Sequence, residues 1–145
     1  MSAPRISILA TLAAVLALAG LFVRHELLGS GPISIGLQVL AALLMIWARL
    51  VFGMRSFHAA ADTSAGELVT RGPYAIVRNP IYAAVILFAW AGIAVHFTWQ
   101  SALHGLVVLA GMLTRILLEE RFLRERYREY EPYARRVKRL VPFVF

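Results

Sequence analysis

Four runs of almost uninterrupted apolar residues, Ile6–Val23, Ile33–Phe52, Ile81–Phe97 and Trp99–Leu118, decide what this chain can fold into. Each approaches the roughly 20 residues, with about 17 as a lower limit, that a helix needs to cross a hydrocarbon core. With 60% hydrophobic and 16% charged residues in a chain of 145, and a mean hydropathy of +0.71, one water-soluble core cannot hold the apolar surface. Lipid is the alternative solvent. Backbone groups in lipid must be satisfied within their own segment, so each run is expected to be a helix. The fold class expected is all-α: a polytopic membrane protein, a single domain over 1–145, with four transmembrane helices at 6–23, 33–52, 81–97 and 99–118. Arg5 ahead of the first run and Ala17-Leu18-Ala19 within it resemble a secretory signal, but the run continues through Leu21-Phe22-Val23 and reads as a retained helix. With no cysteines, neither disulfides nor a redox compartment can be inferred.

Charge sets the expected orientation. Of 15 Lys and Arg residues, nine lie from Arg115 onward, which places that tail in the cytoplasm by the positive-inside tendency. Counting back through four spans puts Arg5, Arg55, Arg71 and Arg78 on the same side, with both termini cytoplasmic and the 56–70 loop facing the cytosol. Arg49 can snorkel to that side, and Arg24 beside Glu26 is left outside. The small size and compact loops suggest a bacterial inner membrane.

A pI of 10.8 and the tail ERFLRERYREYEPYARRVKRL, residues 120–140, raise nucleic acid as a partner. No recognition fold accompanies them, and none is expected. Leu123, Tyr127, Tyr130, Ala134 and Val137 recur at spacings of four and three, giving one apolar face suited to lying on anionic headgroups. Pro132 predicts a break near Glu131 and two short helices.

The stretch RGPYAIVRNPIY, residues 71–82, carries more polar chemistry than a loop entering a membrane helix requires. Gly72-Pro73 and Asn79-Pro80 suffice for the turn and the helix start. The third run passes into the fourth through only His96–Trp99, so these form an antiparallel hairpin whose near end brings Glu119-Glu120 opposite Tyr74, Arg78, Asn79 and Tyr82. Each residue also has an ordinary reading: Arg115 pairs with Glu119 and Glu120 with Arg124 at four-residue spacing, Arg78 snorkels, and Tyr82 joins an aromatic belt. Gly92, Gly105 and Gly111 would let the hairpin helices pack closely or pair with another copy, and the sequence does not set the oligomeric state.

GPY followed by VRNPIY, a short apolar hairpin, LEERFL, and then YREYEPYARRVKRLVP resembles the isoprenylcysteine carboxyl methyltransferase family and its phospholipid methyltransferase relatives. The likeness spans about residues 66–142. It implies an integral membrane enzyme that uses S-adenosylmethionine at the near end of the hairpin, with no metal. The cofactor-binding residues it implies are Tyr74, Arg78, Asn79, Pro80, Tyr82, Glu119 and Glu120, and the catalytic ones Arg78 and Glu120. One position departs: isoprenylcysteine enzymes usually read Arg-His-Pro, and Asn79 stands where that histidine would. Asparagine donates and accepts hydrogen bonds but takes no proton at neutral pH.

These residue types suit that chemistry. A glutamate can hold a ribose diol or an ammonium, an arginine can grip a carboxylate at two points, and a tyrosine ring can face a cation. Methyl transfer is an in-line displacement in which positioning and desolvation supply most of the rate. A carboxylate acceptor needs only orientation, for which Arg78 is placed; an ammonium acceptor needs a base, for which Glu119 and Glu120 are the near candidates. His96 and His104 belong to the far end, and His58 lies in the loop. The expected function is methyl transfer to a lipid-like or prenylated acceptor drawn from the bilayer, isoprenylcysteine carboxyl methyltransferase-like, with phospholipid N-methyl transfer as the alternative. A non-catalytic lipid- or partner-binding protein and a small structural or transport component are the readings of other classes.

Overall fold

The computed structural model describes residues 3–53 and 68–145. Arg55, His58 and residues 56–67 of the loop assigned to the cytosol lie outside the described residues. Five α-helices appear among them: α1 (Ala3–Val23), α2 (Pro32–Phe52), α3 (Pro80–Val95), α4 (Trp99–Arg126) and α5 (Tyr130–Arg136). A 3₁₀ turn at Gly72–Ala75 precedes α3.

The three helices α1, α2 and α4 are long and apolar enough to cross a membrane. The third expected span is shorter than the reading of 81–97. Helix α3 has 16 residues, starting on Pro80 and ending before His96, which gives a length of about 24 Å against a hydrocarbon core of about 30 Å. Helix α4 exceeds its expected 99–118 and runs on to Arg126, so its last two turns project beyond the apolar segment.

Helix α1 packs on α4, α4 on α3, and α3 on α2. Many large side chains point away from this bundle: Leu16, Val23, Ile33, Leu50 and Leu106 are exposed, whereas most buried positions on the helices are small, with Leu21, Ile93 and Ile116 among the exceptions. That inversion suits a lipid solvent, in which helices gain little from hiding leucine and gain more from close backbone approach. Ala14 and Ala17 of α1, Ala89 of α3, and Val108 and Met112 of α4 form the shared core. The glycines singled out in the hairpin serve three different contacts. A Cβ on Gly105 would meet Ile93 and Trp90 across the hairpin, one on Gly111 would meet the Ala10 carbonyl of α1, and one on Gly92 would meet the Leu27 backbone.

Side-chain hydrogen bonds tie down the end away from the 71–82 stretch. The Gln38 amide donates to the carbonyls of Leu27, at 2.8 Å, and Phe88, at 3.1 Å, while Ser34 donates to the Ala91 carbonyl at 2.6 Å. Thr98 caps α4, its hydroxyl accepting from the Ser101 amide and Ser101 accepting from the Thr98 amide. The His96 ring meets the Leu28 carbonyl at 3.1 Å, and His104 that of Gln100 at 2.7 Å, so both histidines lie at the far end as expected.

Gly92 and Gly36 provide a matched test of close packing. A Cβ on Gly92 would stand 2.1 Å from the Leu27 carbonyl oxygen, whereas one on Gly36 meets nothing within 4 Å. Gly92→Ala is expected to destabilise the detergent-solubilised protein by about 1–3 kcal/mol in thermal unfolding. Gly36→Ala should be neutral, or stabilising by up to about 1 kcal/mol through helix propensity.

Candidate active site at the near end of the hairpin

The 71–82 stretch turns because of Gly72, whose φ of 61° lies in the left-handed region; a Cβ there would also stand 2.9 Å from Val51 Cγ2 at the end of α2. Pro73 then fixes the 3₁₀ turn and buries the Tyr74 ring beside Phe52, at 5.9 Å between centroids. Pro80 occupies the first turn of α3, where its missing N–H removes no helical bond. Asn79 is the N-cap residue, yet its side chain makes no cap hydrogen bond. Its amide reaches instead across to α4.

It meets Glu120. The two expected carboxylates, adjacent in sequence, have different surroundings. The Glu120 side chain is 3% exposed, with Arg78 Nη2 at 3.1 Å and Asn79 Nδ2 at 3.2 Å on Oε1, and Arg139 Nε at 3.0 Å on Oε2. Two guanidiniums and an amide thus enclose one buried charge. Removing one member of such a set leaves an uncompensated ion and costs about 3–5 kcal/mol in soluble proteins, although the intact set adds little net stability. The local pairing of Glu120 with Arg124 expected from spacing does not form; Arg124 stands 3.4 Å from Glu131.

The Glu119 side chain is 42% exposed and uses one oxygen. That oxygen accepts from the Tyr82 hydroxyl and from Arg115 Nη2, the latter at 2.9 Å. Arg115 also donates to Thr11 of α1 at 2.8 Å and lies over the Tyr82 ring at 5.8 Å. The other Glu119 oxygen has no partner among the described residues. So Glu119 is the open carboxylate of the pair, and Glu120 the enclosed one.

The tail builds the outer wall. Its helix break falls at Tyr127–Glu129 rather than near Glu131, because Pro132 sits in the first turn of α5, where a proline is tolerated. Of the expected apolar face, Tyr130 is buried and Leu123, Tyr127, Ala134 and Val137 are half-buried, and α5 is tied to the 71–82 stretch. The Tyr133 hydroxyl donates to the Tyr74 carbonyl at 2.6 Å, and Arg78 Nη1 donates to the Ala134 carbonyl at 2.6 Å. Beyond α5, the Arg78 amide donates to the Lys138 carbonyl at 2.7 Å and the Asn79 amide to that of Arg139 at 3.1 Å, an isolated parallel bridge between Val77 and Lys138. Burial pushes the phenols of Tyr74 and Tyr130 up to about 12, with Glu119 adding to the first and Glu120 to the second. Burial raises Tyr133 likewise. All three are therefore neutral donors and ring faces at physiological pH.

The structure brings Arg78, Asn79 and Glu120 into one cluster and Tyr82 and Glu119 into a second beside it; Tyr74 and Pro80 shape the wall and the helix start. Sequence reasoning missed Arg139, Tyr133 and Arg115 as parts of this site. The three-residue spacing of Tyr130 and Tyr133 was a signal that both share a buried face. Arg139 gave none, since nothing local distinguishes it from the other tail arginines.

Among the described residues no cluster of histidine and carboxylate side chains suits a metal. The donor set fits S-adenosylmethionine on chemical grounds: an open carboxylate, buried aromatic faces, and Arg78, whose Nε is buried and unpartnered. The profile of a family described as phospholipid methyltransferase matches residues 28–130, from the α1–α2 connection to the start of α5. No curated protein and no solved structure matches the chain.

Glu120→Gln and Glu119→Gln should separate the two carboxylates by stability. The first is expected to destabilise the solubilised protein by on the order of 3 kcal/mol. The second, at a side chain 42% exposed to solvent, should cost about 1 kcal/mol. Equal losses in chemical unfolding would contradict the division between enclosed and open groups.

Proposed function

The chain belongs to the phospholipid methyltransferase family, and we propose that it transfers a methyl group from S-adenosylmethionine to a lipid-like acceptor at the edge of the bilayer. The family membership and the apolar helices make it an integral membrane protein of a methyltransferase family. The single observation that carries the fuller reading is the pair of adjacent glutamates, one enclosed and one open, at the end of a hairpin of apolar helices. We further propose four crossings, with α3 the short one, and both ends of the chain on the cytosolic side, where a water-soluble cofactor is found.

The cofactor supplies a methyl group activated by its sulfonium. The protein's part is to bind, orient and exclude water. Tyr74 and Tyr82 offer ring faces to a cation, and Glu119 its unpartnered oxygen. Arg78 already uses Nη1 on Ala134 and Nη2 on Glu120, so a two-point grip on a carboxylate requires the wall over its buried, unpartnered Nε to open and one of these bonds to exchange. Glu120 reaches a ligand only if Arg139, 27% exposed, swings aside; otherwise it fixes Arg78 and Asn79 in place. Glu120 is thus proposed as a cofactor and active-site residue chiefly through the groups it holds.

On the acceptor, the family description and Asn79 together support a phospholipid headgroup amine. Such an acceptor arrives as an ammonium ion, and the open Glu119 is placed to receive its proton. The isoprenylcysteine carboxyl methyltransferase-like reading draws its support from the order of motifs and from Arg78. Arg78→Lys distinguishes the two, since it retains charge but loses the planar grip. If Arg78 holds the cofactor's carboxylate, affinity for S-adenosylhomocysteine by calorimetry and turnover should fall together, by about tenfold or more. If it orients a carboxylate acceptor, turnover should fall with affinity little changed. No heat of binding in the unaltered protein would refute the methyltransferase reading.

A further inference from the structure

Residues 140–145 fold into a tight turn that the site does not use. The amides of Leu140 and Val141 both donate to the Phe145 backbone oxygen at 2.7 Å, and the Phe145 amide returns to the Val141 carbonyl at 3.1 Å. Here the closed turn displays its apolar side chains: Phe143 is 94% exposed, and Val141, Val144 and Phe145 are exposed as well. Phe143 also has a φ of 65°, a left-handed conformation unfavourable for a bulky residue, and it throws the ring outward. In water, that much apolar exposure is unfavourable.

The turn's position in the fold gives the reason. The Arg78 and Asn79 amides bond to the Lys138 and Arg139 carbonyls, so the chain just before the turn is fastened immediately before Pro80, where α3 starts. Given the four crossings proposed above, on which this placement rests, α3 enters the bilayer, Pro80 marks its edge, and the tail, having left on α4, has returned to that level. Arg135 and Arg136 at the end of α5, and Lys138 after it, are exposed and basic, as a contact with anionic headgroups requires. The turn is also joined to the site: the Arg139 guanidinium lies 5.5 Å from the centre of the Phe145 ring, while its Nε holds Glu120.

We propose that the 140–145 turn is a lipid-contacting foot, seating Val141, Phe143 and Val144 among the headgroups and upper acyl chains beside the start of α3, and so holding Arg139 against Glu120. The occupant of this apolar surface is the bilayer in which the protein already sits, because the basic flank is complementary to its anionic lipids and the turn adjoins the entry of α3. This does not depend on which acceptor the site methylates. It adds an interaction surface to a tail segment beyond the 28–130 family match.

The chain has no cysteine, so a single introduced one gives a unique labelling position. An environment-sensitive fluorophore on Val144→Cys leaves Phe143 intact, and the same fluorophore on Arg135→Cys reports the exposed face of α5. In vesicles of phosphatidylglycerol and phosphatidylcholine, the label at 144 should be blue-shifted relative to 135. Lipids carrying a quencher high on the acyl chain should quench it roughly twofold or more strongly. Adding Phe143→Asp to the 144 variant should move its emission toward that of 135. Identical emission and quenching at 144 and 135 would overturn the proposal. So would a blue-shifted label at 144 that lipid-borne quenchers do not reach, because that marks a protein contact.

Discussion

A carboxylate removed from water at the rim of a membrane bundle must be met by positive charge, and much of the near end follows from how Glu120 is met. Its partners come from two separate stretches of chain: Arg78 and Asn79 before α3, and Arg139 after α5. Satisfying one buried charge therefore draws the connection ahead of the hairpin and the far tail onto the end of α4. The backbone bridge at Val77 and Lys138, the Tyr133 bond to Tyr74, and the Arg78 bond to Ala134 run between the same segments. They close a wall around Tyr74 that neither segment could build alone.

The far end of the bundle is held differently. There Gln38 and Ser34 donate to backbone carbonyls, and Thr98 caps α4 and donates to the buried Glu26 at 3.3 Å. Among the described residues Glu26 is held by Arg24 alone among cations, and Gly92 lets the Leu27 backbone press against α3. Between the two ends the helices meet through alanine and glycine. Charge is thus concentrated where the bundle meets water, and the lipid-level core stays small and neutral, as the cost of intramembrane charge requires. Arg115 is the exception. It reaches from α4 to Thr11 on α1 while holding Glu119, so the first helix, which carried no recognisable motif, also positions the open carboxylate.

The helices were legible because runs of apolar residues report directly on lipid burial. The motif cluster was legible because a hairpin of fixed length must return Glu119 and Glu120 to the level of Arg78. What sequence could not show was pairing across long separations. Glu120 with Arg124 four residues on was the economical local pairing, but once the tail folds back, Arg78 and Arg139 are nearer and better shielded from water. The break in the tail moved for a similar reason. Proline is costly inside a helix and cheap in its first turn, so α5 begins before Pro132 instead of ending there. The spacing of the tail face points to Tyr130, which is buried, but spacing identifies what is hidden without identifying what hides it.

A double-substitution cycle between Glu120 and Arg139 tests most directly whether the enclosed carboxylate joins the tail to the hairpin. The quantities are the unfolding free energies of Glu120→Gln, Arg139→Gln and the double variant in detergent. A coupling of roughly 1–3 kcal/mol is predicted, since the second substitution should cost little once the first has broken the pair. A coupling near zero, with the two losses simply adding, would contradict the account, for the tail would then be held to the bundle by something other than this charge.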